Sequence, residues 1–220
     1  MSAGGVRVAV DVTVFTVLGG ALQVLVVQTT GGPFAGAWAL PGGLVHDQES
    51  LDAAAARELM ARTGVGDVYL EQLYTFGRPD RDPAVRVVSV AYVALIPHAG
   101  RFPGTTDNPK YCQVIWCPVH RVPALAYDHA DIVRTAVARL QAKLQYTNLV
   151  YTLLPLAFTL SELQSVYEAI LARSLDRRNF RKKILSTGLL AALGRTRGGA
   201  HRPAALYRFR RRRPMTVAIL

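Results

Sequence analysis

Residues Gly43-Leu-Val-His-Asp-Gln-Glu49-Ser-Leu-Asp-Ala-Ala-Ala-Ala-Arg57-Glu58-Leu59-Met-Ala61-Arg62-Thr-Gly64-Val65 decide how this chain is read. Ser50 is a helix N-cap residue, and Asp52 suits a first turn whose free N–H groups favour negative charge. Four alanines and Leu59 carry the helix to about Thr63, where Gly64 is placed to end it. Glu58 and positions 61 and 62 stand at i, i+3 and i+4, so they share one helix face. Three carboxylates there would form the oxygen-rich cluster that Mg²⁺ or Mn²⁺ requires. This chain has one, with Ala61 and Arg62 at the other two positions. A cation therefore stands where cations would bind. Arg62 can pair with Glu58 four residues back, worth about 0.2–0.5 kcal/mol on an exposed face.

The stretch resembles the Nudix box. That pattern runs Gly, five residues, Glu, seven residues, Arg-Glu-apolar, one residue, Glu-Glu, one residue, Gly-apolar. Every fixed position matches except the paired glutamates, replaced by Ala61-Arg62. In that family the pair helps to hold the divalent ions that activate water against a diphosphate. The resemblance implies the frame of a pyrophosphate-cleaving site without its metal centre: no metal ligand and no catalytic residue is assigned. A site with lost metal ligands can still bind. The Gly42-Gly43 loop allows close backbone approach, and cationic side chains hold a diphosphate without metal. Arg57 has two readings, orientation of the glutamates or direct contact with phosphate. Weak hydrolysis by Glu49 and Glu58 is the alternative activity.

The bulk composition fits a packed protein. Half of the 220 residues are apolar and 19% are charged, enough for one large domain or two modest ones. No apolar run reaches about 18 residues, so no membrane span is read. The first residues lack the pattern of a secretory signal, and a cytoplasmic location is expected. Cys112 and Cys117 have no further Cys or His at ligand spacing and read as reduced thiols. Charge is more informative. Residues 1–146 hold 12 Lys and Arg against 12 Asp and Glu, whereas residues 147–220 hold 14 against 3. The whole excess of +11 lies in the last third and points to a polyanionic partner.

Patterning divides the chain at the same place. Residues 1–146 alternate strand and helix. Strands are expected at Val6–Leu18, Leu22–Thr29, Val68–Phe76, Val85–Ile96 and Gln113–Val119, with a hairpin turn at Gly19-Gly20. A helix capped by Asp128 follows, with Ile132, Val133, Ala136, Val137, Leu140 and Leu144 on one stripe. This is an α/β layout, a mixed sheet between helices. Residues 147–220 differ. Thr159-Leu-Ser-Glu162 fits a capping box before a helix with Leu163, Val166, Tyr167, Ile170 and Leu171 inward. Ser174 or Asp176 caps a second helix, with Phe180, Ile184 and Leu185 inward. Strands are expected at Leu189–Leu193 and Ala204–Phe209, joined by a basic, Gly-rich loop. Helix, turn, basic helix and basic-tipped hairpin is the pattern of a winged helix-turn-helix.

The whole chain resembles the Nudix-related transcriptional regulators of NAD metabolism, the NrtR family. The likeness runs through Trp38-Ala-Leu-Pro-Gly-Gly43, Tyr74-Thr-Phe-Gly, Ser89-Val-Ala-Tyr92 and Tyr127-Asp-His129. It continues in Phe158-Thr-Leu-Ser-Glu-Leu-Gln164, Leu175-Asp-Arg-Arg-Asn-Phe-Arg-Lys-Lys-Ile184 and Arg202-Pro-Ala-Ala-Leu-Tyr-Arg-Phe209. It implies a Nudix-type α/β/α sandwich over 1–146 and a winged helix-turn-helix over 147–220. It also implies a bacterial homodimeric repressor of NAD synthesis or salvage genes, bound to a palindromic double-stranded operator at the nucleoid. ADP-ribose or another NAD-pathway nucleotide would release it, and no cofactor is required. For the effector, the expected residues are Arg57, Glu58, Phe76, Arg78, Arg81 and Arg86: a ring to stack on a base and cations for phosphate. For DNA, Arg178 and Asn179 suit base edges. Lys182, Lys183, Arg195, Arg197 and Arg202 suit phosphates, and Arg177 and Arg181 suit either. The run Arg208-Phe-Arg210-Arg-Arg-Arg213 either follows the DNA backbone or is a solvated tail. Two other readings are an active hydrolase, such as an ADP-ribose pyrophosphatase with a nucleic-acid-binding tail, and a dimer whose first half is only scaffold.

Overall fold

The computed structural model describes residues 5–66, 68–97, 111–198 and 203–219. It divides into two compact units. One takes in the chain to Thr16 and Gln23–Ala136; the other takes in Val17–Leu22 and Val137–Leu220. This division cuts a helix upstream of the 146/147 boundary read from charge.

In the first unit, seven described strands form a mixed sheet: β1 (Arg7–Leu18), β2 (Ala21–Thr29), β3 (Trp38–Ala39), β4 (Gly42–Leu44), β5 (Tyr69–Phe76), β6 (Val87–Leu95) and β7 (Tyr111–Pro118). The order is β3-β2-β1-β6-β5, with β4 on β1 and β7 on β2. β1 and β6 lie parallel, Val10 beside Val90 and Val12 beside Tyr92. Parallel strands are covered on both faces, which explains why β6 is apolar and buried almost throughout. Gly19 and Gly20 have φ of 59° and 75°, the positive values that a tight hairpin turn demands. Cys112 is exposed and Cys117 buried.

Helix α1 (Leu51–Thr63) starts as the sequence predicts: the Ser50 side chain accepts from the Ala53 N–H, and Gly64 closes it with φ 63°. Its buried apolar residues, Ala54, Ala55 and Leu59, join one core cluster with Val10, Val12 and Val90. The Tyr92 hydroxyl donates to Asp52 at 2.6 Å and ties β6 to the first turn. Helix α2 (His129–Lys143) buries Ile132, Val133, Ala136 and Leu140, with Val137 half-buried and Leu144 buried just past its end. The Asp128 backbone carbonyl accepts from the Asp131 and Ile132 N–H groups, while its carboxylate receives Arg81.

The second unit contains α3 (Leu160–Leu171), α4 (Arg177–Ser186) and a sheet of order β8-β10-β9, formed by β8 (Phe158–Thr159), β9 (Leu190–Arg197) and β10 (Ala204–Phe209). The capping box is complete: Thr159 accepts from the Glu162 N–H, and Glu162 accepts from the Thr159 N–H. Asp176 caps α4. Glu168 accepts from both the Leu175 N–H and the Gln164 side chain and so fixes the turn between the helices. Tyr167 and Phe180 meet edge-on at 5.2 Å and join them. Leu185, expected inward, is 41% exposed. Phe180 and Ile184, four apart, define the buried face, and Leu185 lies about 100° beyond it.

Candidate functional site

A cavity of about 640 Å³ opens in the first unit, within the size range of small-molecule sites. Its wall includes Asp11 of β1, Arg57 and Glu58 of α1, Arg81 of the β5–β6 loop, and His129 at the start of α2. The Gly42-Gly43 strand forms another part of the wall. Gly42 faces Asp11 in the β4–β1 register. A Cβ at Gly42 would lie 2.3 Å from Asp11 Oδ1 and 2.6 Å from the Val10 carbonyl oxygen. Glycine is therefore required by close approach to β1.

Arg57 binds both box glutamates. Its Nε and Nη2 donate to Glu49 at 2.8 and 2.9 Å, and Nη1 donates to Glu58 at 2.6 Å. These bonds hold the two glutamates, and Arg57 also lies on the cavity wall. Hydrogen bonds from Arg57 hold Glu49 down at about 2, below its ordinary 4.5. Because the folded value is the lower one, this pair stabilises the fold fully above about pH 4.5 and is lost as pH falls towards about 2. Glu49→Gln should flatten the fall of Tm with acid in that window. Parallel wild-type and variant curves would show that the pair carries no weight.

Three of the wall residues, Asp11, Arg81 and His129, belong to a buried ionic network. Arg81 Nη2 donates to Asp128 at 2.7 Å and to Asp11 at 3.1 Å, and its Nε also reaches Asp128. Ser89 donates to Asp11 at 2.5 Å, and His129 Nε2 lies 3.3 Å from the other Asp11 oxygen. The Leu40 N–H donates to His129 Nδ1 at 2.9 Å, which leaves the Nε2 proton directed at Asp11. Burial alone would raise the Asp11 value. His129, Arg81 and Ser89 outweigh burial and hold the carboxyl well below the usual range.

The expected effector residues separate. Arg57, Glu58 and Arg81 line the cavity. Phe76, Arg78 and Arg86 stand outside its wall. Phe76 packs edge-on against Tyr74 at 5.6 Å, Arg78 is exposed beside Asp80, and Arg86 donates to the carbonyls of Gly77, Arg78 and Val87. Asp11, Tyr111, Tyr127 and His129 also belong to the wall and were not among the residues expected for the effector; Asp11 is a charge inside an apolar strand, and Tyr127 and His129 lie in the Tyr127-Asp-His129 stretch of the family likeness. Arg62 is also displaced from its expected position: it is 3% exposed, not on a solvated face.

In the Nudix fold this region holds divalent metal. The residues present do not fit one: Glu58 is engaged by Arg57 and Arg62, and Ala61 offers no ligand. Among the described residues no group of three His, Cys, Asp or Glu side chains is arranged to hold a metal ion. No described helix is long and apolar enough to cross a membrane.

In the second unit, Arg177, Arg178, Asn179, Arg181, Lys182 and Lys183 are all exposed on α4. Arg195 and Arg197 lie on β9, because the strand continues past Leu193 to pair Thr196 with Ala205 and Arg197 with Ala204. Arg197 donates to Glu162 at 2.6 Å and to the Ala157 carbonyl, so its guanidinium is engaged within the unit. Arg202 lies outside the described residues. The terminal basic run is ordered by the backbone. Arg210 donates to the Leu190 carbonyl and Arg212 to those of Pro155 and Leu154. Beyond them, Asn148 clamps the chain through the Met215 N–H and the Arg213 carbonyl.

A Nudix-type sheet with a walled cavity, followed by a winged helix with a cationic second helix, defines a ligand-binding domain joined to a DNA-binding domain. Comparison with known proteins agrees. Residues 7–139 match the NUDIX domain model and residues 150–209 the NrtR DNA-binding winged helix domain. A relative from Acinetobacter baylyi, described as an ADPR responsive transcriptional repressor, NtrR, is 37% identical over 91% of this chain and 80% of its own length. NrtR of Shewanella oneidensis, crystallised with a 27mer DNA, matches with a TM-score of 0.81 at 34% identity, over 92% of this chain and 93% of that one. Its NUDIX domain, cocrystallised with ADP ribose, matches at 0.55 and 32% identity over 62% of this chain and 90% of that one. The chain belongs to the NrtR family.

Proposed function

We infer that this chain is a repressor of genes for NAD synthesis or salvage. It binds a palindromic operator as a homodimer through α4 and is released by ADP-ribose or another NAD-pathway nucleotide seated in the cavity of the first unit. The observation that carries this reading is a Nudix-fold cavity with cations on its wall and an unsuitable metal set, in a chain that also presents a cationic winged helix. The 37% identity to an ADP-ribose-responsive repressor along nearly all its length supports the same reading. Arg57, Glu58 and Arg81 are the wall residues assigned to the effector. The protein senses the nucleotide and does not turn it over. It works in the bacterial cytoplasm.

Release requires that the nucleotide stabilise a dimer whose α4 helices are wrongly spaced for two half-sites. A gel shift with the chain's own upstream region should show a complex that ADP-ribose dissolves. A complex that forms but ignores ADP-ribose, NAD and nicotinate mononucleotide would end the effector half of the proposal. Metal-dependent release of AMP, abolished by Glu58→Gln, would instead return the protein to the hydrolases.

A further inference from the structure

Glu58 lies between two guanidiniums. Arg57 Nη1 is 2.6 Å from one carboxylate oxygen, and Arg62 Nη2 is 3.9 Å from the other. Arg62 is not part of the cavity wall. Its side chain is 1% exposed, beside Glu58 and Tyr111, which are part of it. The guanidinium carbon stands 4.2 Å from the centre of the Tyr111 ring, and Nε has no hydrogen-bond partner among the described residues. Burial weakens its hold on its proton. A long cationic side chain normally keeps its head in water, so this placement calls for a reason.

Charge balance supplies one. In the box, two carboxylates, Glu49 and Glu58, face two guanidiniums, Arg57 and Arg62. Glutamates at 61 and 62 would leave four carboxylates against one guanidinium. Such an excess repels a diphosphate until divalent ions neutralise it. Here the cluster is balanced from within.

We propose that Arg62 is a built-in counter-ion that takes over the charge-balancing part of the divalent metal, so that a nucleotide diphosphate is recognised in this cavity without metal. Arg62 is a positioning residue. It acts through Glu58 and through Tyr111, whose hydroxyl donates to the Gly42 carbonyl at 2.8 Å on the cavity wall. The inference rests on the cavity being the effector site, but its metal arm needs no nucleotide.

The test uses the full chain in two measurements: Mn²⁺ binding followed by water-proton relaxation, and calorimetry with ADP-ribose in EDTA and in excess Mg²⁺. The wild type should show no submillimolar Mn²⁺ site. Its ADP-ribose affinity should agree within about twofold between the two buffers. A61E/R62E should gain Mn²⁺ binding, lose about tenfold or more in ADP-ribose affinity in EDTA, and recover in Mg²⁺. A61E alone changes only an exposed position and should still bind no Mn²⁺, because Arg62 remains. Submillimolar Mn²⁺ binding by the wild type or by A61E, or Mg²⁺-dependent ADP-ribose binding by the wild type, overturns the proposal. Silent titrations of the wild type with ADP-ribose, NAD and nicotinate mononucleotide in both buffers refute the effector reading, and the Mn²⁺ arm still decides on Arg62.

Discussion

Arg81→Met should destabilise the protein by about 3–5 kcal/mol, the cost of removing one partner from a buried ionic group. In a chain of this size that lowers Tm by roughly 10 °C. Arg81 is 5% exposed, and its guanidinium is the cation that lies between Asp11 and Asp128, both also buried. Methionine preserves most of the volume, so the loss reports charge and hydrogen bonds rather than a cavity. Two buried carboxylates would remain, with His129 and Ser89 still beside Asp11. The triple variant Arg81→Met/Asp11→Asn/Asp128→Asn should be more stable than Arg81→Met alone, because the stranded charges are gone. Acid should act in the same sense. Asp11 is held ionised well below the usual carboxylate range, so its contribution is complete above its unfolded value, about pH 3.9, and is lost only as pH falls further. A loss under about 1 kcal/mol for Arg81→Met would mean that water, not Arg81, solvates these carboxylates.

This network also marks where sequence reading stopped. Arg81 was legible as a cation suited to phosphate, but not as the partner of Asp11. Nothing local joins them: they are 70 positions apart, and Asp128 lies 47 beyond Arg81. By contrast, the Ser50 cap, the Thr159–Glu162 box and the Asp176 cap each involve residues three apart, and all three form as the pattern requires. Local hydrogen bonds are written in spacing, whereas cross-sheet ionic groups depend on which strands become neighbours. Arg62 shows a subtler limit. Spacing placed it on the same helix face as Glu58, which is correct, but spacing cannot say whether that face meets water. Ala61 stays exposed while Glu58 and Arg62 turn inward, Arg62 against Tyr111, a residue of β7.

The winged helix was legible for the same local reasons, and its departures have physical causes. Strand β10 spans Ala204–Phe209 as expected, whereas β9 continues past Leu193 to pair Thr196 with Ala205 and Arg197 with Ala204. Extending β9 moves Arg195 and Arg197 from a loop onto a strand, and Glu162 then captures Arg197. Glu162 thus serves both the α3 cap and the wing, a double use that the capping pattern could not reveal.

The second large effect is expected on α4. Arg178→Ala and Asn179→Ala should each weaken operator binding by about 1–3 kcal/mol, and together by roughly 10²–10⁴-fold, with relaxed preference at the bases concerned. Both side chains are exposed, and the cap of α4 uses the Asn179 backbone N–H, not its amide. Neither change should therefore move Tm by more than about 2 °C, which separates lost recognition from lost folding. Lys182→Ala and Lys183→Ala should behave differently. They should weaken specific and non-specific DNA alike, and each should reduce the slope of log K against log salt by about 0.9. The contrast discriminates because α4 buries only Phe180 and Ile184, leaving its other faces free for DNA. A uniform response of all four variants, with an unchanged ratio of operator to random DNA, would show that α4 holds the phosphate backbone and that the bases are read elsewhere.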